Sequence, residues 1–518
     1  MKQFLKASVF TLSIALTPFA TVHAATPKDT LVMAWVFDDI VTLDPAEIYE
    51  VSGSEFMANV YDRLVTLDEK DPSKLRNVIA ESWSVSEDGK TFTFKIRPNN
   101  TFFSGNPVTG EDVEFSVERY VLLDKNPAFI MNQFGLTKEN VRDKVRLVDP
   151  MTVEIELDQA YAPSFFLNCV SYTTAVVDKK EVLSHEENGD FGNGWLKRNY
   201  AGSGPFFLKA WKPNESLVLE ANPKYFDGAP TIKRVLAKNV VESATQQLLL
   251  EKGDVDVARN LTGDQLAAVR KNADITIDAE TKATLWYMGL NVKNPILAKP
   301  EVRQAMKYLV DYKGMADSIF AGTGTIHQTF VPSRQLGALD ETPFSFDLAK
   351  AKELLAKAGL PDGFSVTMDT TNKSETRNLA DAIQSSMSKA GIKIELKVAD
   401  NKTTLTRYRA SEHDIYIGQW GSDYWDPHSN TDGYLNAPLA KRNQWEVPGL
   451  VDKVFAARDE KDPVKRAQMY KDLQSMALEE SPYVIILQQV ENAAVRKEVK
   501  GFVLGPTFDL NLYRHVTK

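Results

Sequence analysis

Helical and strand-like segments take turns through the second half of this chain, and that alternation constrains its fold more than any other feature. Pro300–Asp311 and Phe346–Ala358 read as helices, the first with a proline near its start and the second closed by Gly359. Gly363–Met368 reads as a strand, Ser374–Ala390 as a helix stopping at Gly391, and Ile392–Leu396 alternates again as a strand. Pro463–Leu478 is a last long helix, and Pro482–Leu487 has the composition of a buried strand. Strand–helix–strand order of this kind predicts an α/β lobe. The first half is richer in turns. Trp83–Ser86 and Thr91–Ile96 flank an Asp–Gly turn, a hairpin signal, and Thr109 caps a helix with an acidic first turn that continues to Leu122. With 518 residues the chain calls for roughly two to four structural units.

The N-terminus reads as a leader. Lys2 and Lys6 precede an apolar stretch from Ala7 to Ala20, and Val22 and Ala24 put small side chains where a signal peptidase cuts. Cleavage after Ala24 and an exported, periplasmic protein are the expectation. No later uninterrupted apolar run of roughly 18 residues suggests a second anchor. A net charge of −9 argues against a nucleic-acid partner, because phosphate contacts need a basic face. Cys169 is the single cysteine, which excludes an internal disulfide and any multi-thiolate metal site.

Enzyme motifs fail one by one. Gly89–Lys90–Thr91 has the end of a phosphate loop but lacks its first glycine and lies in the hairpin. There is no G-x-S-x-G elbow and no H-E-x-x-H pair. His428–Gly433 imitates a calcium loop but places Leu439 where the bidentate Glu belongs. Asp423, Asp426 and His428 have a spacing that suits either a metal or an ordinary polar loop, and the polar loop is the preferred reading. No catalytic residue and no cofactor are expected.

Several segments together resemble the family of solute-binding proteins for oligopeptide, dipeptide and nickel ABC importers (family 5). Thr42–Ala46 and Val60–Val65 are similar to its opening, and Ala80–Trp83 with Phe102–Val113 is the most specific stretch. Gly202–Pro205, Ala221–Phe226, Gly253–Asp256, Leu290–Asn291, Glu301–Ala305, Ala351–Gly359, Glu480–Pro482 and Val499–Phe502 follow in family order. The resemblance implies an α/β, two-lobed periplasmic-binding-protein (clamshell) fold with an extra small α+β domain inserted in lobe one. Lobe one would be residues 25–284 plus 490–518, with the insertion at about 60–190, and lobe two 285–489. Crossings near Tyr287–Leu290 and Gln489–Ala493 would form the hinge. It also implies capture of short peptides, or peptide-like solutes, and delivery to ABC permease subunits at the inner membrane by a monomer. A nickel chelate, opine or oligosaccharide on the same scaffold, or a chaperone or sensor role, stay open.

The ligand contacts are expected around Gly418–Pro427, a polar segment with three aromatics and two acids. In peptide-binding relatives the acid equivalent to Asp423 pairs with the ligand's α-ammonium, and Trp420, Tyr424 and Trp425 would supply apolar walls. The lobe-two arginine that holds a dipeptide's carboxylate does not align, since Asp369, Thr370 and Thr371 stand in its place. Arg377 and Arg407 are nearby substitutes, unless they are solvated helix residues. Phe37 and Asp38 would contribute from lobe one, unless they simply end a strand.

Overall fold

The computed structural model describes residues 26–69 and 71–518, so the expected leader lies outside the described residues. Two strands tie the molecule together: Ile275–Leu290 and Tyr483–Arg496, paired antiparallel along almost their whole length. Their outer halves join the sheet of one lobe. There Val257–Ala258 pairs with Ala494 and Val495, and Thr30–Trp35, Arg234–Asn239, Ser216–Ala221 and Phe206–Lys212 extend the sheet outward. Their inner halves join the other lobe, where Ile415–Gly421 pairs with Thr284–Leu290 and carries the parallel strands Ser365–Thr371 and Lys393–Ala399 beyond it. The result is one hydrogen-bonded sheet running through both halves of a two-lobed α/β clamshell.

The ladder between the crossing strands slips twice, between Thr281 and Leu285 and between Trp286 and Tyr287. The expected crossings near Tyr287–Leu290 and Gln489–Ala493 thus border these irregularities. Lys282, Ala283 and Thr284 bridge the first slip, opposite Gln488 to Val490.

A small α+β unit rides on the first lobe. Its four antiparallel strands run in the order Ala80–Val85, Thr91–Ile96, Thr152–Glu156, Val145–Asp149. Gly110–Leu123 covers it, held by a reciprocal capping box in which Thr109 and Asp112 bond each other's backbone. Phe92, Phe94, Phe134, Phe165 and Phe166 are fully buried beneath, together with Cys169, whose thiol burial pushes well up. That aromatic core stands in place of disulfides. The second lobe follows the expected alternation closely. Pro300–Tyr308 ends three residues early because Asp311 caps a new short helix, Tyr312–Asp317. Ser374–Ser388 and Pro463–Glu480 are the other long helices read from sequence.

Candidate functional site

The strand Ile415–Gly421 ends at the mouth of the cleft and turns through Ser422–Asp426 into the helix Pro427–Leu435. Local chemistry dictates that turn. Asp426 caps the helix by accepting from the His428 N–H at 3.0 Å, and Pro427 occupies the first helical position, where a missing N–H costs nothing. The segment His428–Gly433, whose likeness to a calcium loop fails at Leu439, is helix. Ser429 Oγ accepts from the Asp423 N–H at 2.8 Å, and Asn430 links Ser422 to the Phe330 carbonyl. Gly418 is required by a close approach, since a Cβ there would lie 2.3 Å from the Tyr416 hydroxyl.

Asp423 and Asp426, three residues apart, have opposite surroundings. Asp426 is fully buried and held by two bonds from Arg466, at 2.7 and 2.9 Å. It is a structural ion pair, and no cluster of metal-binding type occurs among the described residues. Asp423 faces the cleft and accepts a 2.5 Å bond from the Tyr49 hydroxyl of the opposite lobe. It has no cationic partner among the described residues. Burial raises its pKa to about 6, with the Tyr49 bond pulling the other way.

Two adjoining cavities meet at this acid. One, of about 720 Å³, is walled by Tyr287, Tyr408, Tyr416, Arg409 and Arg442 of the second lobe and by Phe129 and Gln133 of the small unit. The other, of about 360 Å³, runs between Trp425 and the first-lobe residues Ser54, Tyr172, Phe508 and Asp509. Tyr49, Gln419, Trp420, Asp423 and Tyr424 line both. Volumes in this range suit small-molecule ligands.

The structure gathers four of the residues proposed from sequence. Trp420 stands on the strand rather than in a loop, and its buried indole N–H has no partner among the described residues. Tyr424 packs its ring 5.9 Å from Phe165 in the small unit's core, and its hydroxyl donates to Gln133 at 3.5 Å. Trp425 is 5% exposed and packs with Leu67, Ala283 and Leu510. Four others lie elsewhere. Phe37 is 1% exposed in the first lobe's core, with its ring 5.3 Å from Trp35, and Asp38 lines neither cavity. Arg377 pairs with Asp381 one helical turn away, and Arg407 with Asp369 at 2.5 Å; neither lines the two cavities. A helical i,i+4 carboxylate and a buried acid on a neighbouring strand capture those guanidiniums first.

Sequence reasoning missed Tyr49, Tyr408, Tyr416, Arg409 and Arg442. Tyr49 has no local signal, being a loop residue between the first strand and the helix Val51–Val60. Arg409 ends the helix Asn401–Arg409 and Arg442 the short helix Leu439–Arg442, positions where a basic residue is commonplace.

The lobes are closed onto one another. Besides Tyr49–Asp423 and Tyr424–Gln133, Arg466 reaches Ser164 at 3.4 Å and the Arg458 guanidinium lies 4.8 Å over the Tyr161 ring.

The chain shares this construction with known proteins. It is 32% identical over 502 residues to the probable D,D-dipeptide-binding periplasmic protein DdpA of Escherichia coli K12, covering 95% of each chain. It is 26% identical over 492 residues to the glutathione-binding protein GsiB of Escherichia coli O6:K15:H31, covering 92% of each. Among solved structures, HbpA2 from Haemophilus parasuis superposes with a TM-score of 0.81 at 25% identity, covering 94% of this chain and 99% of that one. The model of the bacterial extracellular solute-binding proteins, family 5, middle region, matches residues 74–439. The chain belongs to the bacterial extracellular solute-binding proteins of family 5.

Proposed function

We propose that this protein is the periplasmic, monomeric capture subunit of an ABC importer for short peptides, taking them up by lobe closure and presenting them to a membrane permease. In this reading lobe one is residues 25–284 and 490–518, lobe two 285–489, and the crossing strands are the hinge. Relatives named as a probable D,D-dipeptide-binding periplasmic protein and as a glutathione-binding protein support it. No helix among the described residues is long and apolar enough to cross a membrane. No catalytic step and no cofactor are assigned.

The observation that carries the reading is Asp423, a carboxylate enclosed between two lobes with a tyrosine hydroxyl and, among the described residues, no cation beside it. An α-ammonium is the complement such a group lacks, because a partly desolvated ion pair is strong and directional. Trp420 and the surrounding tyrosines offer apolar faces to side chains.

The test is a thermal-shift panel of L,L and D,D dipeptides, tripeptides, glutathione, opines and Ni²⁺, followed by calorimetry on Asp423→Asn. An amine-bearing peptide should raise Tm, and the substitution should weaken it by about 2–5 kcal/mol. A panel in which only Ni²⁺ or an opine raises Tm rejects the peptide assignment. Unchanged peptide affinity in Asp423→Asn rejects the anchor.

A further inference from the structure

Outside the cleft, a third cavity of about 440 Å³ opens beside the edge strand of the first lobe's sheet. None of its lining residues lines the two cavities at Asp423. One wall is Leu208–Trp211, from the strand Phe206–Lys212, which pairs along one side with Ser216–Ala221. The ladder slips between Leu208 and Ala210, so Lys209 lies outside the pairing. The turn Phe102–Ser104 of the small unit adds a second wall, and Trp195, Arg198 and Tyr200 a third.

The aromatic surface of this cavity is left open to water. Phe103 is 56% exposed, more than any other Phe, Tyr or Trp among the described residues. It is nevertheless held in place. Its N–H donates to the Gly202 carbonyl at 3.0 Å, the Phe102 N–H donates to the Asn106 carbonyl at 2.9 Å, and its ring rests 4.4 Å from that of Phe207. Trp195 is fixed by His185, stacked on it at 4.3 Å and 7°. A ring fixed in place and left in water forgoes the free energy of burial, which a flat apolar ligand would recover.

The acids of the cavity are met, and its arginine is not. Asp178 is buried and accepts from Ser104 Oγ at 2.5 Å, Asn106 Nδ2 at 2.8 Å and the Glu181 N–H at 3.1 Å. Glu181 has His185 Nε2 at 3.4 Å, and Lys209 has Glu220 at 3.5 Å. The Arg198 guanidinium has no hydrogen-bond or carboxylate partner among the described residues. It lies 5.2 Å from the centroid of the Trp211 ring, which orients it without satisfying its N–H groups.

We infer that this cavity is a second ligand site, for a small aromatic acid whose ring lies against Phe103 and Trp195 and whose carboxylate meets Arg198. A planar guanidinium already oriented on a ring matches a carboxylate bidentately. A cation or a neutral ring would leave it unmet. The volume lies in the range of small-molecule sites. Because first-lobe and small-unit residues alone build it, the site goes beyond the peptide-capture reading and stands or falls separately from it.

The experiment is calorimetric titration of the leaderless chain with 2-naphthoate and with its neutral counterpart 2-naphthamide. The acid should bind roughly 5- to 10-fold more tightly than the amide. In Arg198→Gln that difference should disappear. In Phe103→Ala both compounds should weaken roughly 2- to 10-fold. Both substitutions fall on exposed side chains, so melting curves of the unliganded variants should match the parent's. Arg442→Gln reports on capture of the probe by the cleft instead. Naphthoate binding that is lost in Arg442→Gln and kept in Arg198→Gln overturns the inference. Equal affinity for acid and amide in the unsubstituted protein overturns it as well, and so does the absence of saturable binding.

Discussion

Around the crossing strands Glu55 and Glu491 face Arg259 and Lys282, whereas in the cleft Asp423 faces a tyrosine and Arg442 an aromatic ring. In the first region every charge is answered. Arg259 bridges both glutamates, Lys282 donates to Glu491 at 2.7 Å and to Asn511 at 2.9 Å, and Asn511 and Tyr513 bond Glu55 from the C-terminal segment. Burial alone would push Glu491 up, but Arg259 and Lys282 outweigh it and hold the carboxyl below its usual range. The cleft, where Asp423 and Arg442 are only partly buried, holds no such answers among the described residues. Burying an unpaired charge is unfavourable, so the fold compensates charges thoroughly around its crossing strands and leaves the partly open cleft uncompensated.

That contrast can be broken from either side. The largest effect belongs to the crossing strands: Glu491→Ala leaves Lys282 buried without its carboxylate and should destabilise the protein by about 3–5 kcal/mol in urea unfolding. A loss under about 1 kcal/mol would mean the network behaves as a solvated surface pair.

Asp423→Asn should act in the opposite direction on the unliganded protein. The folded pKa, about 6, lies above the unfolded carboxylate value, so the folded state favours the protonated form. That contribution is complete below the unfolded pKa and is lost as pH rises through about 6. Asparagine stays neutral throughout, so the variant should gain roughly 1–3 kcal/mol over the unsubstituted protein at pH 8 and little at acid pH. A variant less stable than its parent at pH 8 would place Asp423 with the compensated charges of the crossing strands.

Ligand affinity should follow the same titration with the sign reversed, because the ammonium needs the carboxylate. Binding of a peptide should weaken below pH 6 toward about tenfold per pH unit, and the slope should vanish in Asp423→Asn. A smaller effect is expected from Tyr49→Phe, which removes the hydroxyl that favours the ionised acid. Stability should change by about 1 kcal/mol or less, and the midpoint of the affinity profile should move above pH 6. An unmoved midpoint would show that the cross-lobe bond does not form in solution.

Much of the fold was legible from local pattern. The helices of the second lobe carry glycine stops and proline starts, and Gly391, read as the stop of the helix Ser374–Ser388, has φ +84°. The hairpin around Gly89 announces itself for the same reason, its turn chemistry being contained in a few adjacent residues. The crossing strands were not legible as such. Asp278, Glu280 and Lys282 interrupt the apolar alternation of the first, and Gln488, Glu491 and Asn492 that of the second. These polar residues belong in strands only because distant partners meet them: Arg334 for Glu280, Glu491 for Lys282, and the Gly322 carbonyl for Asn492.

The candidate site divides in the same way. A clustered segment, Gly418–Pro427, carries its own signal in aromatics, acids and a helix start, so Asp423, Trp420, Tyr424 and Trp425 could be named from the chain alone. What separates Asp423 from Asp426 is which of them Arg466, forty residues on, can reach. Likewise Arg377 and Arg407 read no differently from Arg409 and Arg442 until their neighbours are known; two are met by carboxylates and two are left facing the cavity. The sequence by itself determined the family, the alternating lobe and the segment that turns into the cleft, because periodicity, capping and turn chemistry act over a few residues. The tertiary structure alone decided which charges are cancelled and which remain for a ligand, because Coulomb pairing and desolvation depend on distance in space and not on separation along the chain.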